Sequence, residues 1–261
     1  STIATHDKTI RGLQAAAAKK KKKKAEEERR RSEAFMAVTG PVEIIRTLRT
    51  KSGVYCVMEL PDKSIAAACY DNKIRVYSVT GSLLYTLEDA NVLSGHNPLA
   101  VLGTGQLASG CIDGKIKIWD GEKCSTVLEG HTGAVYSLVV LENGLLASCS
   151  EDKIIRLWKG TELAGILTGH TGSVFALAAL ADGRLASGSL DKTIKVWKNG
   201  LCQYTLGGHT SSVFSLVGLP DGRLVSGSAD KTIKVYKEDD SASEESHPIN
   251  WKPDILKRRR Y

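Results

Sequence analysis

Three copies of one sequence phrase recur along this chain at a constant spacing of about 40 residues. In each copy a His that follows a Gly precedes an Asp at the same separation, and the Asp opens a phrase in which Lys, Ile and an aromatic residue keep their places. The pairs are His131 and Asp152, His170 and Asp191, and His209 and Asp230. A period of this length indicates stacked copies of one supersecondary unit that cannot bury its apolar surface alone. Because such arrays work through their surfaces, the pattern favours binding over catalysis.

Each repeat is predicted to form four β-strands. In the clearest copy, residues 173–180 are an apolar run, and residues 184–189 and 193–197 alternate between small or polar and apolar residues. Turn residues separate these runs, and Asn199-Gly200 is a strong hairpin signal before a fourth short strand. The unit has no helical periodicity. We therefore expect one antiparallel four-stranded sheet per repeat, buried on both faces.

The repeated phrases resemble the WD40 repeat. The matching segments are Gly-His-Thr-Gly-Ser-Val at 169–174, Leu-Ala-Ser-Gly-Ser at 185–189 and Asp-Lys-Thr-Ile-Lys-Val-Trp at 191–197. The resemblance is specific because it recurs in register, and it covers residues 42–237 with a remnant at 1–14. It implies an all-β fold, a WD40 β-propeller built of four-stranded antiparallel blades.

The spacing of the turn Asp predicts the domain organisation. This Asp recurs at Asp7, Asp71, Asp113, Asp152, Asp191 and Asp230. The first step is much longer than the others, which match the period, so we expect six recognisable blades: five complete ones over 42–237 and a partial first one over 1–14. A charged helical insertion over 15–41 accounts for the long step. Since a full ring of seven blades would need more chain, we expect these 261 residues to be a piece of a longer protein.

Residues 238–261 are predicted to form a tail outside the blades. The tail opens acidic and Ser-rich and ends basic. Pro248 and Pro253 make it a poor candidate for a strand, because proline cannot donate to a sheet ladder.

The resemblance implies a hydrogen-bonded chain inside each complete blade. The expected sets are His131, Ser148, Asp152 and Trp158; His170, Ser187, Asp191 and Trp197; and His209, Ser226, Asp230 and Tyr236. Linking these groups satisfies a buried carboxylate, both ring nitrogens of the His and an indole N–H. A hydrolytic Ser-His-Asp triad uses the same residue types, but a catalytic centre is not expected three times at a structural spacing.

Two repeats depart from this pattern. Asp113 has Ser109 and Trp119, but His96 stands too close to it in sequence to be in register with the His of the other repeats. Asp71 has Ala67 and Thr50 at the positions of the Ser and the His, and Tyr77 at that of the Trp. We expect these two blades to be less rigid than the others.

The segment 15–35 is the most individual part of the chain. Its basic side chains are Lys19, Lys20, Lys21, Lys22, Lys23, Lys24, Arg29, Arg30 and Arg31. With four Glu they give the segment a charge of +5, out of +7 for the whole chain. The segment consists largely of strong helix formers and is polar on every face. It is either a solvated linker helix, an electrostatic arm for RNA or an acidic protein surface, or a nuclear-import signal.

An aromatic residue follows the Val that opens the predicted first strand in four repeats. These residues are Tyr55, Tyr136, Phe175 and Phe214. In a propeller the inner strands begin near one rim of the central channel, so the four residues either form a contact ring for a partner peptide or pack between adjacent blades. The residue before the turn Asp varies (Ile112, Glu151, Leu190 and Ala229), as expected of positions that determine specificity.

The remaining composition limits the function classes. Six cysteines without a Cys-x-x-Cys pair are predicted to be buried and reduced, which favours the cytoplasm or the nucleus. No metal-ligand spacing, Gly-rich phosphate loop, nucleophile motif or long apolar run is present, so we expect no enzyme activity, no metal, no cofactor, no small-molecule substrate and no membrane span. The first expectation is a scaffold that binds other proteins in a multi-subunit assembly. The alternatives are an RNA-contacting ribonucleoprotein component and a substrate-recognition or ubiquitin-binding propeller of the ubiquitin system.

Overall fold

The structure, a computed structural model, describes residues 47–88, 90–92 and 97–237 together with residues 26, 252 and 253. Contacts divide the chain into two compact units, residues 1–47 and residues 48–261. Every described strand belongs to the second unit. The predicted blade remnant over 1–14, all of the predicted insertion over 15–41 except Glu26, and most of the tail lie outside the described residues.

In the described part of the chain, twenty strands form five antiparallel sheets of four strands each, paired in chain order. Sheet 1 contains β1 (Val54–Glu59), β2 (Ile65–Cys69), β3 (Ile74–Tyr77) and β4 (Leu83–Leu87). Sheet 2 contains β5 (Leu99–Val101), β6 (Leu107–Gly110), β7 (Ile116–Asp120) and β8 (Lys123–Leu128). Sheet 3 contains β9 (Val135–Val140), β10 (Leu146–Ser150), β11 (Ile155–Lys159) and β12 (Glu162–Leu167). Sheet 4 contains β13 (Val174–Ala179), β14 (Leu185–Ser189), β15 (Ile194–Lys198) and β16 (Leu201–Leu206). Sheet 5 contains β17 (Val213–Gly218), β18 (Leu224–Ser228), β19 (Ile233–Lys237) and β20 (Lys252–Pro253).

The first strand of each sheet lies against the first strand of the next, from β1 through β5, β9 and β13 to β17. The sheets therefore fan around a common axis with their first strands innermost, as the resemblance predicted. A separate apolar cluster fills each space between consecutive sheets. The core is thus four layers between blades rather than one central cluster.

Small residues on the second strands let the sheets approach closely. Every residue of β10 and β14 is buried, and their sequences are Leu-Ala-Ser-Cys-Ser and Leu-Ala-Ser-Gly-Ser. A Cβ atom on Gly188 would lie 2.7 Å from Val213 Cγ1 of the next sheet. A larger residue there would force sheets 4 and 5 apart, which explains why four small residues follow Leu185 on this strand.

Two predictions from the sequence were wrong. The tail does supply a strand, because Lys252–Pro253 pairs with Tyr236 and Lys237 as the fourth strand of sheet 5. Proline is tolerated there because an edge strand needs no donor on its outer side. The cysteines are all free and four are buried, but Cys124 and Cys202 are exposed. They lie on β8 and β16, outermost strands on which most side chains face solvent.

Candidate partner-binding rim

A chain of hydrogen bonds links four side chains of sheet 4. His170 Nδ1 lies 2.7 Å from Asp191 Oδ2, and His170 Nε2 lies 2.8 Å from Ser187 Oγ. Trp197 Nε1 donates to the same Ser187 Oγ at 2.8 Å. Because a carboxylate only accepts, Nδ1 carries the proton, and Nε2 accepts from Ser187 in a neutral ring. Burial lowers the pKa of His170, which agrees with this neutral form.

Sheets 3 and 5 repeat the arrangement. In sheet 3, His131 lies 2.8 Å from both Asp152 Oδ2 and Ser148 Oγ, and Trp158 Nε1 donates to Ser148 at 2.9 Å. In sheet 5, the distances from His209 to Asp230 Oδ2 and to Ser226 Oγ are both 2.7 Å. The aromatic member of this last set is Tyr236, whose hydroxyl is buried with no hydrogen-bond partner among the described residues. The structure therefore joins eleven of the twelve expected residues in hydrogen-bonded chains.

The turn Asp also fixes the backbone around it. Asp191 accepts from the backbone N–H of Thr171 at 3.0 Å and of Thr193 at 2.9 Å. Burial alone would raise the pKa of the Asp191 carboxyl, but the hydrogen bonds from Thr193 and His170 hold it at about 2. The segment before β13 is thereby tied to the turn between β14 and β15. Both segments lie at the end of the sheet where the innermost strand begins.

The Ser-His-Asp geometry matches that of a hydrolytic triad, but the accessibility does not. Ser148 and Ser187 are completely buried, and each hydroxyl oxygen accepts a hydrogen bond from an indole N–H. A nucleophilic Ser must present its oxygen to a substrate. The arrangement therefore holds the blade together and has no room for acyl transfer.

Sheet 1 satisfies its turn Asp with an arginine that the sequence interpretation missed. Arg75 donates to Asp71 through two nitrogens at 3.0 and 2.6 Å, and its side chain is buried. This pair lowers the pKa of the Asp71 carboxyl. A signal was present, because the residue four positions after the turn Asp is basic in all five repeats. In sheet 3 the equivalent Arg156 likewise donates to Asp152, at 3.0 Å.

Sheet 2 keeps only one half of the network. Trp119 Nε1 donates to Ser109 Oγ at 2.8 Å, as in sheets 3 and 4. Asp113 is exposed, and within the described residues it accepts from the Lys115 N–H at 3.2 Å. His96 lies outside the described residues.

Three of the four aromatic residues on the innermost strands form a continuous ladder. The ring centroids of Tyr136 and Phe175 are 5.0 Å apart, and those of Phe175 and Phe214 are 5.1 Å apart. Tyr55 is separate and pairs with Tyr70 at 5.3 Å. The strand register places Asn97 at the corresponding position of sheet 2, so the ladder is interrupted there. The rings of sheets 3, 4 and 5 thus contact one another between blades, and Phe214, on the last described sheet, is 46% exposed. The contact ring for a partner peptide stays a prediction.

The residues that precede the turn Asp lie at the same rim as the ladder. In sheets 3, 4 and 5 the backbone N–H of this residue donates to the carbonyl group of the residue just before the first strand, for example Leu190 to Ser173 and Glu151 to Ala134, both at 2.9 Å. In sheet 2 the N–H of Ile112 donates to the carbonyl group of Asn91 at 3.0 Å. Ile112 and Leu190 are 47% and 49% exposed, and Glu151 and Ala229 are also exposed. We call Ile112, Tyr136, Glu151, Phe175, Leu190 and Phe214 the binding rim. Five of these six side chains are apolar or aromatic, and Glu151 carries a carboxylate.

The described residues contain neither a candidate metal site nor a candidate membrane-spanning helix. Among them no group of three His, Cys, Asp or Glu side chains is placed to hold a metal ion. We also find in them no apolar helix of a length that could span a bilayer. The predicted electrostatic residues over 19–31 fall outside this part of the chain, apart from Glu26 between them.

Comparisons with known proteins agree with this geometry. A family model described as "WD domain, G-beta repeat" matches residues 42–78, 87–120, 122–159, 161–198 and 200–237, which is more than half of the chain. The crystal structure of the WD40 beta propeller domain of Doa1 superposes with a TM-score of 0.62 at 24% identity, covering 68% of this chain and 62% of that one. At that identity the likeness concerns the fold alone.

A curated protein matches a much shorter segment. Pleiotropic regulator 1 of Bos taurus is 64% identical over 25 residues, which is 10% of this chain and 5% of that protein. The chain thus spans less than two thirds of either relative.

Proposed function

The chain belongs to the WD40-repeat family, and we propose that it is a non-catalytic scaffold subunit that holds a partner protein at the binding rim. Propellers of this family are in general protein-interaction scaffolds and typically lack catalytic activity. The observation that carries the finer proposal is the ladder of Tyr136, Phe175 and Phe214, flanked by exposed Ile112 and Leu190. Aromatic side chains in a well-packed, apolar surface are the usual anchors of protein interfaces.

The networks below the rim support this proposal because they make the rim rigid before a partner arrives. Leu190 is adjacent to Asp191, whose carboxylate is held by His170, and Glu151 is adjacent to Asp152, which is held by His131. A surface that is ordered in advance loses little conformational entropy on binding. We therefore expect the His-to-Asp hydrogen bonds to hold the neighbouring rim residues in the positions in which they contact the partner.

A pair of leucines in sheet 4 provides a matched test. Leu190 belongs to the rim, whereas Leu201 is 67% exposed on the outermost strand β16. Proteins captured from the native source by wild type would be quantified against those captured by Leu190→Ser and by Leu201→Ser. We expect the principal partner to be lost with Leu190→Ser, with about tenfold or greater weakening once measured by calorimetry, and kept with Leu201→Ser. Equal capture by the two variants would refute a partner site at this rim.

The RNA-binding alternative stays a prediction. It depends on the nine basic residues over 19–31, and the +5 charge of that segment is the observation that favours it. Retention on heparin or RNA at low salt, lost on deletion of residues 15–35, would support it. Unchanged retention after the deletion would contradict RNA binding by this segment and favour a linker.

The ubiquitin-system alternative also stays a prediction. It rests on analogy between folds. Its test is binding of a degron peptide that is lost in Phe175→Ala and Phe214→Ala.

A further inference from the structure

A groove between sheets 3 and 4 lies at the end of the strands opposite the binding rim. Its cavity has a volume of about 330 Å³, and its walls include the Asn199-Gly200 turn that joins β15 to β16. The rim, in contrast, involves the turn that joins β14 to β15. Leu157 and Leu167 of sheet 3 and Trp197 of sheet 4 line the apolar part of the groove.

Gly165 is the reason that this groove has an open apolar floor. Gly165 pairs with Leu157 across β12 and β11. At the same register position, sheets 1 and 4 have Tyr85 paired with Val76 and Tyr204 paired with Val196. Gly165 thus stands where two sister sheets have a tyrosine.

The residues beneath these positions show the effect. Val76 and Val196 are completely buried under their tyrosines, whereas Leu157 is only partly buried. The equivalent groove between sheets 1 and 2, with a volume of about 300 Å³, is lined by Tyr85 itself. Val76 and Leu87 do not line that groove, but their counterparts Leu157 and Leu167 line the groove between sheets 3 and 4.

Neither packing nor backbone conformation requires a glycine at this position. A Cβ on Gly165 would meet Leu157 Cδ1 at 3.6 Å, which is ordinary contact, and Gly165 is not among the residues with a left-handed φ. A glycine within a strand weakens it and often marks a place where another molecule approaches closely.

We propose that the groove between sheets 3 and 4 binds a tyrosine side chain presented by a partner protein, in the place that Tyr85 and Tyr204 occupy in the sister sheets. The ring would cover Leu157 and Leu167 as the tyrosines cover Val76 and Val196. Asn143, Lys198 and Asn199 form a polar edge to the groove. An amphipathic phenol suits such a combination, because its ring is buried while its hydroxyl finds a polar partner. This site is independent of the binding rim.

The test uses two probes, p-cresol and the capped peptide acetyl-Gly-Tyr-Gly-amide, with acetyl-Gly-Ala-Gly-amide as the blank. Binding would be followed by NMR titration of the intact chain, with the indole signal of Trp197 as the local reporter. We expect both tyrosine-like probes to bind wild type with dissociation constants on the order of 1 mM. Gly165→Tyr should weaken both at least about fivefold by filling the groove, whereas Gly165→Ala, the matched control, should bind as wild type does.

Three results would overturn the proposal. The first is a wild-type protein that binds neither probe. The second is equal binding by Gly165→Tyr and Gly165→Ala. The third is binding of p-cresol without binding of the peptide, which would exclude a side chain carried on a protein backbone.

Thermal unfolding gives a check that needs no ligand. If the groove accepts a tyrosine, Gly165→Tyr should unfold about 2–4 °C above Gly165→Ala, because the added ring buries apolar surface. A lower midpoint for the Tyr variant, or failure of that variant to fold, would show that the groove cannot hold a tyrosine.

Discussion

Sheets 3, 4 and 5 satisfy their turn Asp in one way, and sheets 1 and 2 in two others. In the first group a His joins the Asp to a buried Ser. In sheet 1 the buried guanidinium of Arg75 takes the place of the His. In sheet 2 the described residues give Asp113 only a backbone donor, although the Trp119 to Ser109 bond survives. A turn Asp in this fold can thus be held by a guanidinium as well as by a His.

The comparison also separates two functions of the network. The indole-to-Ser bond joins the second and third strands of a sheet, and it persists in sheet 2 without the rest. The Asp joins the loop before the first strand to the turn at the rim, as in the bonds from Thr171 and Thr193 to Asp191. We infer that a blade without the hydrogen bonds to its turn Asp keeps its four strands but has a more mobile loop and turn at the rim.

The largest expected difference is between the turn Asp of sheets 4 and 2. Asp191→Ala removes the acceptor of His170, Thr171 and Thr193 and leaves the buried ring N–H of His170 without a partner. We expect it to lower the free energy of unfolding by about 3–4 kcal/mol, and Asp113→Ala by less than about 1 kcal/mol. Urea denaturation of both variants measures the contrast. Losses of equal size would mean that sheet 2 holds its Asp as tightly as sheet 4.

The second contrast is between the basic residues four positions after the turn Asp. Arg75→Met leaves the partly buried Asp71 carboxylate without its guanidinium, so we expect a loss of about 2–3 kcal/mol in the free energy of unfolding. Lys195→Met changes the same position in sheet 4, where His170 already satisfies Asp191 and the ammonium bonds Thr205 near the surface. That control should cost about 0.5 kcal/mol or less. If Lys195→Met costs as much as Arg75→Met, the arginine has not replaced the histidine.

The two kinds of network should also differ in their response to acid. The pKa of His170 is lowered on folding, so its contribution is complete above about pH 6.5 and is lost as the pH falls toward the folded value. Asp152 and Asp191 have pKa values of about 2, below their ordinary 3.8, so their contributions are lost between about pH 4 and pH 2. We expect each Asp to account for roughly 1–2 kcal/mol, after allowance for solvent screening.

Urea midpoints at pH 7, 5 and 3 test this order. Stability should fall at both steps. Because Arg75 does not titrate in this range, sheet 1 contributes only to the lower step, through Asp71. The variant His170→Gln should be less stable at pH 7 and should show a smaller loss between pH 7 and pH 5. An unchanged loss between these pH values would exclude His170 as its source.

The sheets and the three networks could be predicted from the sequence because both depend on fixed separations between residues within one repeat, and the repeat recurs. A His, a Ser and an Asp at fixed separations must meet once the strands pair in register. The role of Arg75 was not predicted, because the WD40 pattern assigns the contact with the turn Asp to a His, which this repeat lacks. The basic residue four positions after the turn Asp in all five repeats would have indicated it. The strand at Lys252–Pro253 was not predicted for a different reason. The segment between it and its partner β19 carries no repeat that would indicate the pairing.

The surface features depended on differences between repeats rather than on what they share. The ladder ends at sheet 2 because Asn97 occupies the aromatic position there. The sequence alone does not give this alignment of β5 with β6, because the repeat is irregular in this region. Gly165, in contrast, lies one full period before Tyr204, so aligning the repeats would have identified it. What such an alignment could not show is that the missing side chain leaves an open groove, because this depends on how sheet 4 packs against sheet 3.

The smallest expected effect concerns the aromatic member of the network in sheet 5. The hydroxyl of Tyr236 is buried without a hydrogen-bond partner in the described residues, so Tyr236→Phe removes an unsatisfied polar group and leaves the ring in place. We expect a change within about 0.5 kcal/mol in the free energy of unfolding, or a slight gain. Trp197→Phe in sheet 4 removes a donor that Ser187 uses, and should cost clearly more. A loss above about 1 kcal/mol for Tyr236→Phe would reveal a hydrogen bond to Ser226 and make the three networks equivalent.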